Sequence, residues 1–325
     1  MNKTHFLLLF ISLMLFSCME KKETLSQHTK GKINTISVII DDQLWNGEIG
    51  DSIRNKFASP VLGLPQEEPL FTINQYSVKL LEGFVTHSRA IIVIKNGEDN
   101  KFIIKKDQYA SPQNVFHISG KTGEDIIKII EKETPQIIEI IKQTEIAESQ
   151  RIINQSLIDP RIIRNKFQIS LKVPTKYLYA LQKPNFTWLK KEIIGGSTSL
   201  LIYQIPLSSI KDEQSLSASI IRVRDSIGNL YIRGIEPSTV MITEEAYAPY
   251  FFRIKLDGKI AYETKGTWEL KNDFMSGPFI NYTILDKEHN RILVLEGFCY
   301  SPSKEKRDLM QELEAIIKSV DVLKK

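Results

Sequence analysis

The sequence predicts an α+β fold: mixed and antiparallel sheets with packed helices, ending in a four-stranded meander closed by a helix. Three observations predict it. In the second half, Phe252, Ile254 and Leu256 alternate with Arg253 and Lys255, and Ile280, Tyr282 and Ile284 repeat the pattern; a period of two belongs to a strand with one wet face. Between residues 122 and 153, isoleucines recur at helical spacing. The chain ends on an amphipathic stretch whose stripe is Leu309, Leu313, Ile316 and Val320.

Taken in order, Ile33 to Ile40 is apolar and β-rich and reads as the first strand, stopped by Asp41-Asp42. Trp45 to Phe57 reads as a short helix with Ile49, Ile53 and Phe57 on one face, weakened by Gly50. Ser59-Pro60 breaks it, and Pro65 and Pro69 keep the next stretch extended. Ala90 to Ile94 and Phe102 to Lys105 read as a hairpin around Asn96-Gly97 and Asp99-Asn100. Thr122 to Glu133 is helical; Thr134-Pro135 restarts the chain as N-cap and first helical residue, and a second helix runs to about Ile153 with Ile137, Ile138 and Ile141 inward.

Asp159-Pro160 is the expected division between an N-terminal half, 33–158, and a C-terminal half, 159–325. After it, Phe167, Ile169, Leu171 and Val173 alternate as a strand, and Lys176 to Leu181 reads as a short helix. Trp188 to Ile193 and Ser199 to Ile205 follow as strands and Ser217 to Asp225 as a helix. Asp257-Gly258 is a type I′ turn signal, with Ile260 and Tyr262 on the return strand. Ile292 to Tyr300 is a more continuous apolar run, as in a central strand, and Ser301-Pro302-Ser303 is the expected cap of the last helix. Both halves begin strand then helix, which raises an internal duplication that no residue-level repeat supports.

The 325 residues are 42% apolar and 25% charged, enough for one large or two ordinary domains with a sizeable core. The net charge of +4 is small and evenly spread, which excludes a nucleic-acid surface. Lys3 and His5 precede an eleven-residue apolar run, Phe6 to Phe16, too short to span a bilayer, which needs about twenty residues. A basic start and a short apolar run make a secretory leader. It ends in Leu15-Phe16-Ser17-Cys18, which resembles the lipobox of bacterial lipoproteins, although Phe16 is larger than the usual residue there.

That resemblance implies a signal peptide, 1–17, and a lipidated Cys18 whose acyl chains hold the protein to a membrane. Cys299 is then the lone thiol and no intrachain disulfide forms. Residues 18–32 are polar, show no apolar period and read as a flexible tether with a reach of roughly 50 Å. Met19 is not the Asp that resembles an inner-membrane retention signal, so the outer membrane is the expected address, with its periplasmic and outward-facing sides both open.

Several segments resemble one family of Bacteroidota envelope lipoproteins, domain of unknown function 4837. They are Gly63-Leu64-Pro65-Gln66-Glu67-Glu68-Pro69-Leu70-Phe71, Gly266-Thr267-Trp268, Asp273-Phe274-Met275-Ser276-Gly277-Pro278-Phe279, Glu296-Gly297-Phe298 and Lys306-Arg307-Asp308-Leu309. The resemblance implies an envelope location and a single unit over nearly the whole mature chain. It implies no activity and no catalytic residue.

Candidate chemistry is sparse. Glu67-Glu68 lies between prolines, but neighbours in an extended segment point to opposite faces and do not share one reacting bond. Glu244-Glu245 after Thr243 reads as acids at a helix start. Cys299 sits in an apolar run, a poor setting for a thiolate, and His289 lies in a turn. Gly195-Gly196 lacks both the nucleophile-elbow pattern and the Gly-Lys of a phosphate loop. No histidine pair has ligand spacing, so neither metal nor cofactor is expected. Two features point to binding. Trp268, Phe274, Met275, Pro278 and Phe279 crowd a glycine-containing turn as an exposed recognition patch, against the alternative that they close the core. Lys304, Lys306 and Arg307 oppose the dipole at the start of the last helix, a conflict that an anionic partner relieves, against the alternative of local pairing with Glu305 and Asp308. The expectation is a non-catalytic module binding an envelope protein or glycan. A cell-wall or lipid hydrolase and a small-ligand carrier are the alternatives.

Overall fold

The computed structural model describes residues 27–80, 83–210, 215–234, 236 and 238–324. The leader, Cys18 and the tether as far as residue 26 lie outside the described residues.

The first half contains β1 (Gln27–His28), β2 (Thr35–Ile39), α1 (Asp42–Trp45), α2 (Glu48–Phe57), β3 (Thr72–Tyr76), β4 (Ala90–Asn96), β5 (Lys101–Lys106), β6 (Ala110–Ser111), β7 (Asn114–Gly120) and α3 (Gly123–Ile153). Its main sheet has the order β3-β2-β4-β7-β5, parallel except for β5. Ile36, Val38, Ile92, Ile94, Phe116 and Ile118 point from it onto α2 and α3. The expected hairpin of β4 and β5 does not form. β7 enters between them, parallel to β4 and antiparallel to β5. The Asn96-Gly97 signal turns the chain, but β7 supplies a buried apolar strand that both partners need.

Three further readings change. Residues 27–32 are not free tether: β1 pairs with β6, Lys30 N donates to His87 O at 2.9 Å, and the Arg89 guanidinium donates to Gly31 O at 3.1 Å and Lys32 O at 2.8 Å. Arg89 is buried against Glu145 at 2.9 Å, and its remaining donors need those carbonyls. Pro135 restarts nothing. It lies inside α3, where Ile126, Ile130, Ile137 and Ile141 form one fully buried stripe past it and Thr134 Oγ1 donates to Ile130 O at 2.6 Å. Packing of that stripe outweighs a local cost of about 3 kcal/mol. Gly50 is a requirement, not a weakness: a Cβ there would stand 1.8 Å from the Trp45 carbonyl oxygen.

The second half contains α4 (Arg161–Phe167), β8 (Ile169–Ser170), β9 (Leu178–Lys183), β10 (Phe186–Ile193), β11 (Gly196–Pro206), α5 (Leu216–Tyr231), β12 (Met241–Thr243), β13 (Tyr250–Leu256), β14 (Lys259–Leu270), β15 (Ser276–Asp286), β16 (Arg291–Tyr300), α6 (Arg307–Ile317) and β17 (Asp321–Val322). The meander β13–β16 forms as expected, with Asp257 and Gly258 both at positive φ in its first turn. It belongs to a larger curled antiparallel sheet, β12-β14-β15-β16-β11-β10-β9, with β13 also on β14. β16 is central and buried on both faces. Leu293, Leu295 and Cys299 meet α6, while Ile292, Val294 and Phe298 meet the cluster around α5.

Phe167 ends α4 rather than opening a strand; Gln168 turns left-handed after it, and Ile169, Leu171 and Val173 still point inward. Residues 178–183 form the edge strand β9, not a helix, because pairing with β10 is available there. The halves share no topology, one sheet being largely parallel and the other antiparallel, so the duplication is not seen.

α3 packs on α6 and joins the two sheets. Gln150 Nε2 donates to Ala315 O at 3.0 Å, and Asn34 Nδ2 to Asp308 Oδ1 at 3.0 Å.

Candidate functional site

At this seam residues 59–70 fold into a closed tongue. Val61 N donates to Glu68 O at 2.9 Å and Leu70 N to Ser59 O at 2.8 Å. Gly63, at φ +82°, lies flat on β14, where a Cβ would come within 3.0 Å of Lys265 Cβ. The stretch expected to run extended thus folds back on itself, bridged at Pro60 and Pro69, and forms a wall with two sides.

The Glu67-Glu68 pair divides between different tasks. Glu68 is buried, and its carboxylate accepts from the backbone N–H of Lys306 at 2.7 Å and of Arg307 at 2.8 Å. It caps α6 from 238 residues away, in place of the expected Ser301-Pro302-Ser303 cap. The anion opposite the cationic helix start is therefore part of the chain. Lys306 is buried, with Nζ on Gln66 Oε1 at 3.2 Å, and Arg307 donates to Asp308, Pro69 O and Thr72 Oγ1. Lys304 alone of the three is exposed.

The aromatic patch is also corrected. Trp268 is buried, donates from Nε1 to Cys299 O at 3.2 Å and stands edge-on to Phe298. Phe279 is buried beneath the Arg224 guanidinium at 3.8 Å, and Pro278 is buried beside it. Met275 is half-buried and Phe274 is fully exposed at the turn. Both large rings occupy strand positions that face the α5 side of the sheet, which leaves Phe274 without aromatic company at the surface. Cys299 is buried, and burial pushes its thiol up to about 12; His289 pairs with Asp286 at 2.9 Å instead. Gly195-Gly196 is the β10–β11 turn. No helix follows Thr243, so Glu244 is no dipole partner. Among the described residues no three ligand-type side chains gather as a metal site.

One side of the tongue faces a cavity of about 70 Å³ between the two sheets. Its apolar lining includes Leu62, Leu64, Leu70 and Met310, and its polar lining Lys142, Lys265, Gln311 and Glu314. Burial penalises the Glu314 carboxylate, but Lys265, Lys318 and a hydrogen bond from Tyr282 outweigh that and hold its pKa at about 2. Burial also opposes the charge of Lys265, and the carboxylates of Glu314 and Glu263 more than offset it, so its pKa is raised. Lys142 goes the other way: desolvation first, and then Lys265, lower its pKa.

The other side faces an open groove of about 520 Å³, lined by Pro65, Glu67, Glu244, Tyr247, Tyr250 and Thr267 among others. That volume is in the range of small-ligand sites. Tyr247 is 71% exposed and Tyr250 45%. Glu244 Oε2 accepts from Thr267 Oγ1 at 2.5 Å, while Glu67 is open to solvent. Sequence reasoning missed these tyrosines and the cavity lysines. Signals existed: two tyrosines flank Pro249, and Glu263 and Lys265 share the inward face of β14 with Ala261.

Residues 156–319, just over half of the chain, match the family described as Domain of unknown function (DUF4837). The chain belongs to that family. Residues 29–154 match a second, Domain of unknown function (DUF8532). The tongue thus falls in the DUF8532 segment, and the α6 it caps in the DUF4837 segment; the DUF4837 likeness does not extend over the whole mature chain. No curated protein matches. Among solved structures, the Ran-binding protein Mog1p of Saccharomyces cerevisiae is similar at 9% identity over 48% of this chain and 90% of that one, TM-score 0.34. The cyanobacterial PsbP protein CyanoP of Synechocystis is similar at 7% identity over 47% and 86%, TM-score 0.32. Likenesses at this level assign no activity to the DUF4837 chain.

Proposed function

We propose that this DUF4837 protein is a lipid-anchored envelope lipoprotein of the Bacteroidota type that binds a glycan and does not transform it. The leader and the Leu15-Phe16-Ser17-Cys18 motif support the anchor, and Met19 supports the outer membrane. The observation that carries the binding reading is the groove, in which two exposed tyrosines stand beside two carboxylates. A tyrosine ring packs on the C–H face of a sugar and keeps a polar tip in water, and carboxylates accept hydrogen bonds from hydroxyls.

The test is equilibrium binding of the purified full chain to isolated cell-wall glycan and to surface polysaccharide. Tyr247→Ala and Tyr250→Ala should each weaken it at least tenfold with unchanged circular dichroism. No glycan bound above an albumin control, or wild-type binding by both variants, would end this reading. Trp268→Ala tests folding, since Trp268 is core.

Glu67 and Glu244 lining one groove favour a second reading, a glycan hydrolase using a carboxylate pair. Released saccharides detected by mass spectrometry, and lost in both Glu67→Gln and Glu244→Gln, would replace binding with hydrolysis. Cys18→Ser, followed by membrane fractionation, tests the anchor: the variant should leave the outer-membrane fraction.

A further inference from the structure

The seam cavity has a charge pattern that the fold itself does not use. Glu314 pairs with Lys318 at 2.6 Å and Glu263 with Lys265 at 2.8 Å. Arg307 is spent on Asp308 and the tongue. Lys142 is left over. It reaches the cavity from α3, remains open to solvent at the mouth, and among the described residues has no hydrogen-bond or ion-pair partner. Gln311 lines the same cavity, and its buried Nε2 has no partner among the described residues. A buried donor such as this amide is rarely left without an acceptor in a folded protein, and it calls for an explanation.

We propose that the cavity is a binding site for a short-chain monocarboxylate, held by Lys142 and Gln311 through its carboxylate and by Leu62, Leu64 and Leu70 along its apolar stem. Charge and size select this class. Glu314 and Glu263 attract Lys142 from a distance, but each already has a close lysine of its own, so the group as a whole carries one excess positive charge; a monoanion balances it, whereas a phosphate dianion would leave an excess in a partly desolvated site. One water takes about 10–15 Å³ of a cavity measured in this way, so 70 Å³ holds roughly five water-sized units, enough for a chain of a few carbons and not for a long acyl chain. An ammonium–carboxylate contact forms charge-assisted hydrogen bonds, stronger than neutral ones, and gives the Gln311 amide its acceptor. Lys142 comes from the helix of one sheet, Gln311 from the helix of the other, and the leucines from the tongue. The ligand therefore touches all three parts of the seam. This site shares the tongue residues Val61, Leu62, Gly63 and Leu64 with the groove but none of its tyrosines or carboxylates, and it does not depend on the glycan reading.

The experiment is isothermal titration calorimetry of the full chain in detergent with propionate, and with propionamide as the neutral probe of the same shape. Propionate should bind and propionamide should bind at least tenfold more weakly. Lys142→Met and Lys142→Gln should each weaken propionate at least tenfold, while Lys121→Met, an exposed lysine just before α3, and Tyr247→Ala in the groove should leave it unchanged. Equal binding of the two probes, no binding of propionate, or equal losses in Lys142→Met and Lys121→Met would each overturn the proposal. The probe comparison uses the unaltered chain, so a folding defect in a variant does not decide it.

Discussion

Replacing Glu68 by alanine should weaken the whole molecule, although Glu68 belongs to no helix or strand. Its two oxygens are the acceptors for the first backbone donors of α6, at 2.7 and 2.8 Å, in a buried position. Loss of an N-cap side chain costs about 0.5–2 kcal/mol. Loss of a negative charge at a helix N-terminus adds about 0.3–1 kcal/mol, and up to about 2 in a partly buried setting. The expected loss is about 3 kcal/mol, a large share of a typical total of about 5–15 kcal/mol. Glu68→Gln keeps one acceptor but turns an amide N–H₂ toward a donor, and should fall between. Glu67→Ala, next door and exposed, should stay within about 0.5 kcal/mol of the parent. Urea unfolding followed by tryptophan fluorescence measures all three. If Glu68→Ala unfolds like Glu67→Ala, the distal-cap argument is wrong.

Three further outcomes are expected. Arg224 and Glu296, 1% and 0% exposed and 3.1 Å apart, form a fully buried pair, so Arg224→Met or Glu296→Leu alone should cost about 3–5 kcal/mol and the double variant clearly less than their sum; additive losses in the denaturation cycle would refute the coupling. Glu314 has a folded-state pKa of about 2 against an ordinary 4.5, so its contribution, roughly 3 kcal/mol at 1.36 kcal/mol per unit, is complete above about pH 5 and is lost as pH falls toward 2; in Glu314→Gln that part of the urea-derived stability profile should be flat. Cys299, buried with its thiol raised to about 12, should resist a thiol reagent at pH 8 in the native state and react at once in urea; rapid native labelling would show that the strand opens.

The legible parts of the fold were those in which neighbours in sequence are neighbours in space. β13 to β16 follow one another across the sheet, so alternation and the Asp257-Gly258 turn carried the reading. β4 and β5 looked like the same case and were not, because β7 arrives from beyond the local window and takes the place between them. Residues 178–183 have a helix-compatible composition, and only the nearby β10 edge makes them a strand. The continuity of α3 through Pro135 depends on a stripe of isoleucines that the proline does not interrupt. The site was the least legible. Trp268 and Phe279 were conspicuous by residue type and are core, whereas Tyr247 and Tyr250 were passed over and are exposed. Glu68 could not be paired with Lys306 and Arg307 from sequence, since no local pattern links positions so far apart.

The reach of the tongue across the seam also bears on how the chain can be divided. A fragment cut at residue 156, where the DUF4837 match begins, would keep the curled sheet but lose Glu68, the Asn34 contact to Asp308 and the Gln150 contact to the end of α6. Its last helix would start bare, over a face meant to be covered. The complementary fragment would present the end of α3, with Ile146 and Ile153, with nothing against it. Unfolding of the intact chain is therefore expected to be cooperative across both sheets, and truncation at the midpoint to yield two sticky halves in place of two working domains.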